Sequence, residues 1–179
     1  MTSKCHILRP GADEATDRAR GYILKAPADS LHESLDQLDA RFSALLDRLD
    51  ETAAARRYAA GKWSIKELVA HLADGERILA ARALWVAREP GIEIPGFDEN
   101  LFAKNSGADD RSFADTLADR HAVRQATRSL LCTIPPRHLD EIGRVDGRMA
   151  TPRVLLWMIA GHEQHHLDVL ESRYGLKAC

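Results

Sequence analysis

Leu31, Leu35, Leu38, Phe42, Leu45 and Leu49 recur at alternating steps of four and three. A helix turns about 100° per residue, so these side chains share one face. The first long helix is expected over about 28–50. A second stripe, Ile65, Leu68, Leu72, Leu79, Ala83 and Val86, opens on Ser64-Ile65-Lys66-Glu67. That tetrapeptide is a capping box, in which the serine hydroxyl accepts from the third helical amide and the glutamate reaches back. Pro90-Gly91 stops the stripe. A third helix starts at Ser112, with Asp115 three residues on, and runs to about Thr133 ahead of Pro135-Pro136. A fourth starts at Thr151-Pro152, a side-chain acceptor followed by proline in the first turn, and ends near Tyr174-Gly175.

No segment makes a convincing sheet; the one hairpin signal is the Asp-Gly turn in VDGRMA, residues 145–150. Four amphipathic helices of roughly 20 residues predict an all-α chain, a four-helix bundle with long connections. Such bundles build metal sites from side chains that project inward. The connection over about 90–111, with PGFDENLFAKNSGADD, is too long for a simple hairpin, and long loops often carry function. Asp98, Glu99 and Asn100 in it are placed to cover an open end of the bundle. Residues 1–27 read as a polar lead-in, a strap or partial helix, ahead of a bundle domain over 28–179.

Composition narrows the class. The chain has 179 residues, 45% hydrophobic and 29% charged, enough apolar material for one domain with a core. Its net charge of -2 offers no basic field for nucleic acid. No apolar run reaches membrane-span length, and the charged N-terminal stretch lacks a signal-peptide core. Cys5, Cys132 and Cys179 are too scattered for a disulfide framework or a thiolate knuckle. The expectation is a reduced, cytoplasmic protein with free thiols.

The fourth helix carries the chemistry. GHEQHHLDVL, residues 161–170, sets three of the eight histidines within five positions. With Leu155 as zero, His162 falls near -20° and His166 near +20°, at the centre of the apolar stripe, while His165 lies near -80°, roughly, at its edge. Two buried imidazoles need partners, because an unsatisfied buried polar group costs about 1–3 kcal/mol. A metal ion satisfies both, and an i, i+4 pair is a known way for a helix to offer two ligands. The spacing is HxxxH without the frame of a zinc protease; Glu163 points roughly 80° off axis. A third ligand is sought on another helix, and His71 in ELVAHLADGER lies at the flank of the second stripe. The competing reading makes these histidines hydrogen-bonded core residues. His6, His32, His121 and His138 read as surface residues.

KWSIKELVAHLADGERI and IAGHEQHHLDVLESRYG resemble the DinB-like family of metal-dependent hydrolase and thiol-transferase type. The resemblance covers about 30–175. It implies a four-helix bundle with one divalent metal, held by a histidine of helix two and an HxxxH pair of helix four. Those positions map onto His71, His162 and His166. It further implies a small-molecule substrate, with a low-molecular-weight thiol as one option, and a homodimer. An imidazole-only set suits zinc or nickel, with iron and copper as further options.

Arg120 and Arg124 lie one turn apart on the stripe of helix three with Phe113, Leu117 and Leu131. A buried arginine wants a carboxylate or an anionic substrate. They and Asp98 are catalytic candidates, against a structural pairing with Asp98, Glu99 or Glu76. Glu163 reads as a solvated helix residue rather than a base. Trp63, Trp85 and Trp157 read as core or interface side chains. Two functions compete: a metalloenzyme for hydrolysis or S-transfer, and a non-catalytic metal-binding stress-response module closed by a fourth protein ligand such as His165 or Asp98.

Overall fold

The computed structural model describes residues 7–11 and 13–177. Cys5, His6 and Cys179 lie outside the described residues. The four long helices are α2 (Leu31–Leu46), α4 (Ile65–Arg88), α6 (Phe113–Leu131) and α7 (Pro152–Ser172). Shorter ones are α1 (Asp17–Ile23), α3 (Glu51–Ala54) and α5 (Glu99–Asn105). The caps are made as the sequence requires. Ser64 Oγ accepts from Glu67 N at 3.0 Å, and Glu67 Oε2 accepts from Ser64 N at 2.8 Å. Ser112 Oγ accepts from Asp115 N at 3.0 Å, and Thr151 Oγ1 accepts from Val154 N at 3.2 Å.

α4 packs against both α6 and α7, and α7 also packs against α2 and α1. The ring closes between α6 and α2 through side chains: the Arg120 guanidinium lies 4.1 Å from the Phe42 ring centroid. The core runs through Leu35, Leu38 and Phe42 of α2, Leu68, Leu72 and Val86 of α4, and Leu155, Leu156 and Leu167 of α7. The helices therefore bury the stripes that predicted them.

The expectation of no sheet is corrected. β1 (Glu93–Ile94), β2 (Gly143–Val145) and β3 (Arg148–Ala150) form one small sheet. β2 and β3 make the hairpin; Asp146 and Gly147 turn it with φ of 53° and 70°, the left-handed pair of a type I′ turn. β1 pairs parallel to β2, so the connections after α4 and α6 meet and are tied together. A two-residue strand has no period to read, and its partner lies some fifty positions away.

The lead-in is also built into the fold. α1 lies against α7. Arg9 donates to the carbonyls of Ile23 (2.7 Å) and Ala28 (2.6 Å), and Trp157 Nε1 donates to Leu8 O at 2.8 Å. These bonds close the segment into a strap. Its approach to α7 is so close that a Cβ on Gly161 would sit 1.9 Å from Tyr22 O.

Candidate metal centre

His71 projects from the second turn of α4, and His162 and His166 from consecutive turns of α7. His71 Nε2 lies 3.0 Å from His162 Nε2, and His166 Nε2 lies 3.1 Å from the same atom. The donor atoms of all three fall within 4.8 Å of one another. A neutral imidazole nitrogen has either one in-plane lone pair or one proton. His162 Nε2 can therefore make one well-directed hydrogen bond, not two. His166 Nδ1 is buried with no hydrogen-bond partner. A hydrogen-bonded core reading leaves these groups under-satisfied. A shared cation satisfies the three clustered Nε2 atoms, though not His166 Nδ1: bonds of about 2.0–2.1 Å to one ion put tetrahedral nitrogen neighbours roughly 3.3 Å apart.

Burial sets the protonation state. Desolvation lowers the His71 pKa to about 4 and is the first cause of lowering His162 to about 3 and His166 to about 2, with mutual repulsion among the imidazoles adding to it. All three are neutral at pH 7, the form a metal requires.

The surroundings hold the rings in place. Trp63 lies 4.7 Å from His71 and stacks at 25° and 6.4 Å on His166, centroid to centroid. Tyr22, delivered by α1, meets His162 and His165 edge-on at 5.6 and 5.8 Å. Gly75 is the residue one turn beyond His71, and a Cβ there would stand 3.0 Å from His162 Cε1. A cleft of about 160 Å³ opens beside His71 and His162.

A family model described as the DinB superfamily matches residues 34–170. The chain belongs to the DinB superfamily. It is 22% identical over 148 residues to a curated protein of Oceanobacillus iheyensis whose name provisionally assigns it as a metal-dependent hydrolase, spanning 80% of this chain and 84% of that one. Its fold is similar to that of YfiT from Bacillus subtilis, described as a probable metal-dependent hydrolase with an unusual four-helix bundle topology. There the TM-score is 0.70 at 17% identity, over 94% of each chain.

The other candidates in this DinB-superfamily chain fall elsewhere. Arg120 and Arg124 are each 1% exposed and sit in an ion-pair network. Arg124 donates to both oxygens of Glu76 at 2.9 Å, to Asp39 at 2.8 Å and to Glu163. Arg120 donates to Glu163, and its Nη1 lies 2.7 Å from Asp39 Oδ1 in an ion-pair contact without hydrogen-bond geometry. The pairing with Glu76 is the one the sequence allowed; Glu99 and Asp98 take no part. Asp98 is exposed, and its carboxylate caps α5 by accepting from Asn100 N and Leu101 N.

The solvated reading of Glu163 is corrected: it is 3% exposed, because α7 is covered on several sides and not only along its apolar stripe. Trp85, read as core or interface, is 53% exposed, whereas Trp157 is fully buried. His165 is half-buried beside Tyr22. Cys132 is a free, exposed thiol. Sequence reasoning missed Tyr22, Gly75 and the arginine partner Asp39. Only Gly75 left a signal, as a glycine inside a helical stripe where it costs about 1 kcal/mol against alanine.

Among the described residues, no helix is long and apolar enough to cross a membrane.

Proposed function

We propose that the chain is a metal-dependent hydrolase of small molecules, its divalent ion held by His71, His162 and His166. The observation that carries this reading is the convergence of three neutral imidazole nitrogens beside a cleft that His71 and His162 line. The names of the two relatives agree with it. When bound, such an ion polarises a carbonyl and lowers the pKa of water to about 7. Three protein ligands leave a position for water or substrate, as in catalytic rather than structural zinc sites. Among the described residues the cluster includes no fourth donor. Trp63 and Tyr22 pack against the imidazoles. Glu163, although next to His162, is held in the arginine pairs and is not free to act as a base. An imidazole-only donor set favours zinc or nickel over magnesium or calcium.

Elemental analysis after dialysis against zinc, nickel, iron and copper tests the reading. About one ion per chain is expected in the wild type and none in His162→Ala/His166→Ala, with ester and amide hydrolysis lost on chelation and restored by the ion. A thiol-transfer assay on the same samples distinguishes water from a thiol as nucleophile. A folded wild type that takes up no ion refutes the proposal.

A further inference from the structure

The cleft beside the histidines has two chemically distinct ends. His71, Gly75, Leu79 and Arg82 of α4 all line it. Their spacing keeps them within about 80° of one another on the helix surface, and His71 and Arg82 are about 16 Å apart along its axis. Between the ends the wall is apolar, with Leu79, Val154, Leu155 and Met158.

Arg82 differs from the other guanidiniums of the cleft. Arg18 lies 3.7 Å from Glu99, and Arg148 lies 3.5 Å from Asp146. Arg82 has no carboxylate within 4.0 Å among the described residues. Its Nη2 donates to Pro95 O at 2.8 Å, and its guanidinium lies 5.3 Å from the Phe97 ring centroid. One nitrogen and one face thus fix the plane of the group. Its other nitrogens are not among the buried unpartnered atoms, so they open to solvent or the cleft. Burial pulls its pKa down, the mark of a cation only partly compensated by Asp146. Along the lining, three guanidiniums face two carboxylates, Glu99 and Asp146.

We infer that Arg82 is the anion-recognising residue of the cleft, and that the ligand is a small amphiphilic carboxylate whose apolar part lies along Leu79, Leu155 and Met158. This rests on the proposed function only for the statement that the ligand is a substrate. A planar guanidinium fixed on one edge matches a carboxylate with two parallel N–H donors, and Arg82 is already oriented for it. The cleft volume of about 160 Å³ is close to the roughly 150 Å³ that encloses benzene, which sets the apolar part at about one ring. Phe97, which also lines the cleft, covers one face of the guanidinium.

The test compares 4-phenylbutanoate with 4-phenylbutanamide, titrated into the full chain by calorimetry and followed by protein NMR. EDTA is present, so no ion can hold the carboxylate. The acid is expected to bind about tenfold more tightly than the amide, the size of one charge-assisted contact. Arg82→Gln removes that preference, and Arg82→Lys restores part of it. Circular dichroism and zinc uptake of Arg82→Gln are expected to match the wild type. Equal affinity for acid and amide, an acid preference that survives Arg82→Gln, or no binding of the acid at millimolar concentration overturns the inference. Failure of zinc uptake in the wild type refutes the proposed function and leaves this comparison intact.

Discussion

Replacing Gly161 by alanine tests how the strap is seated. A helical glycine costs about 1 kcal/mol against alanine, so helix propensity alone predicts that Gly161→Ala stabilises the protein. The packing predicts the reverse. The added Cβ would stand 1.9 Å from Tyr22 O, 2.3 Å from Tyr22 C and 3.0 Å from Ile23 N. These neighbours are backbone atoms, and no rotamer change relieves them. α1 must retreat by more than 1 Å, or α7 must shift within the core. Inserted bulk in a packed interior costs about 1–3 kcal/mol. Releasing α1 instead exposes Ile23 and Ala19, now 3% and 5% exposed, and loss of the isoleucine alone costs about 1.5–3 kcal/mol. The net expectation is a loss of about 2 kcal/mol. In urea, with a slope of about 1–3 kcal/mol/M, the midpoint falls by roughly 1 M. Gly21→Ala is the control, since a Cβ there meets nothing within 4 Å and the residue lies in the same short helix. Its midpoint is expected to hold or rise. A Gly161→Ala midpoint at or above wild type, with an unchanged slope, would refute the close packing of α1 on α7.

Two further outcomes follow from the buried charges. Arg124→Met leaves Glu76 buried without its counter-charge and Glu163 with Arg120 alone, and a loss of about 3–5 kcal/mol in denaturant unfolding is expected; a loss under about 1 kcal/mol would mean the network is open to water. The metal-free protein should also weaken in acid. The His71 pKa is lowered from 6.5 to about 4, so between those values the unfolded chain binds a proton that the folded chain refuses. Stability is then full above pH 6.5 and falls as pH drops toward 4, by about 3 kcal/mol from this residue alone. Thermal melts in EDTA from pH 7.5 to 4.5 measure it, and a pH slope that His71→Gln leaves unchanged would contradict the assignment.

The long helices were legible because each carries its own stripe and its own cap. Ser64 and Glu67 state where α4 begins without reference to the rest of the chain, and His162 and His166 fall inward by helix geometry alone. What was not legible is set by distant partners. Glu163 lies off the apolar stripe of α7, and nothing near it in sequence announces that Arg120 and Arg124 will meet it. β1 becomes a strand only because β2 is there to bond with it. Tyr22 reaches His162 through a strap whose path depends on Gly161, more than a hundred positions later. The direction of a side chain on its own helix could be read from spacing, but what it faces could not.

The place of α7 in chain order has a consequence for synthesis. α1, α2 and α4 all rest on this helix, and it is made after all of them. While the chain emerges from the N-terminal end, the faces of α1, α2 and α4 that pack on α7 have no helix to cover them. Domains generally fold as units, and exposed apolar surface in the waiting state promotes aggregation. A nascent chain stalled before residue 152 would therefore be a client for chaperones rather than a smaller version of the bundle.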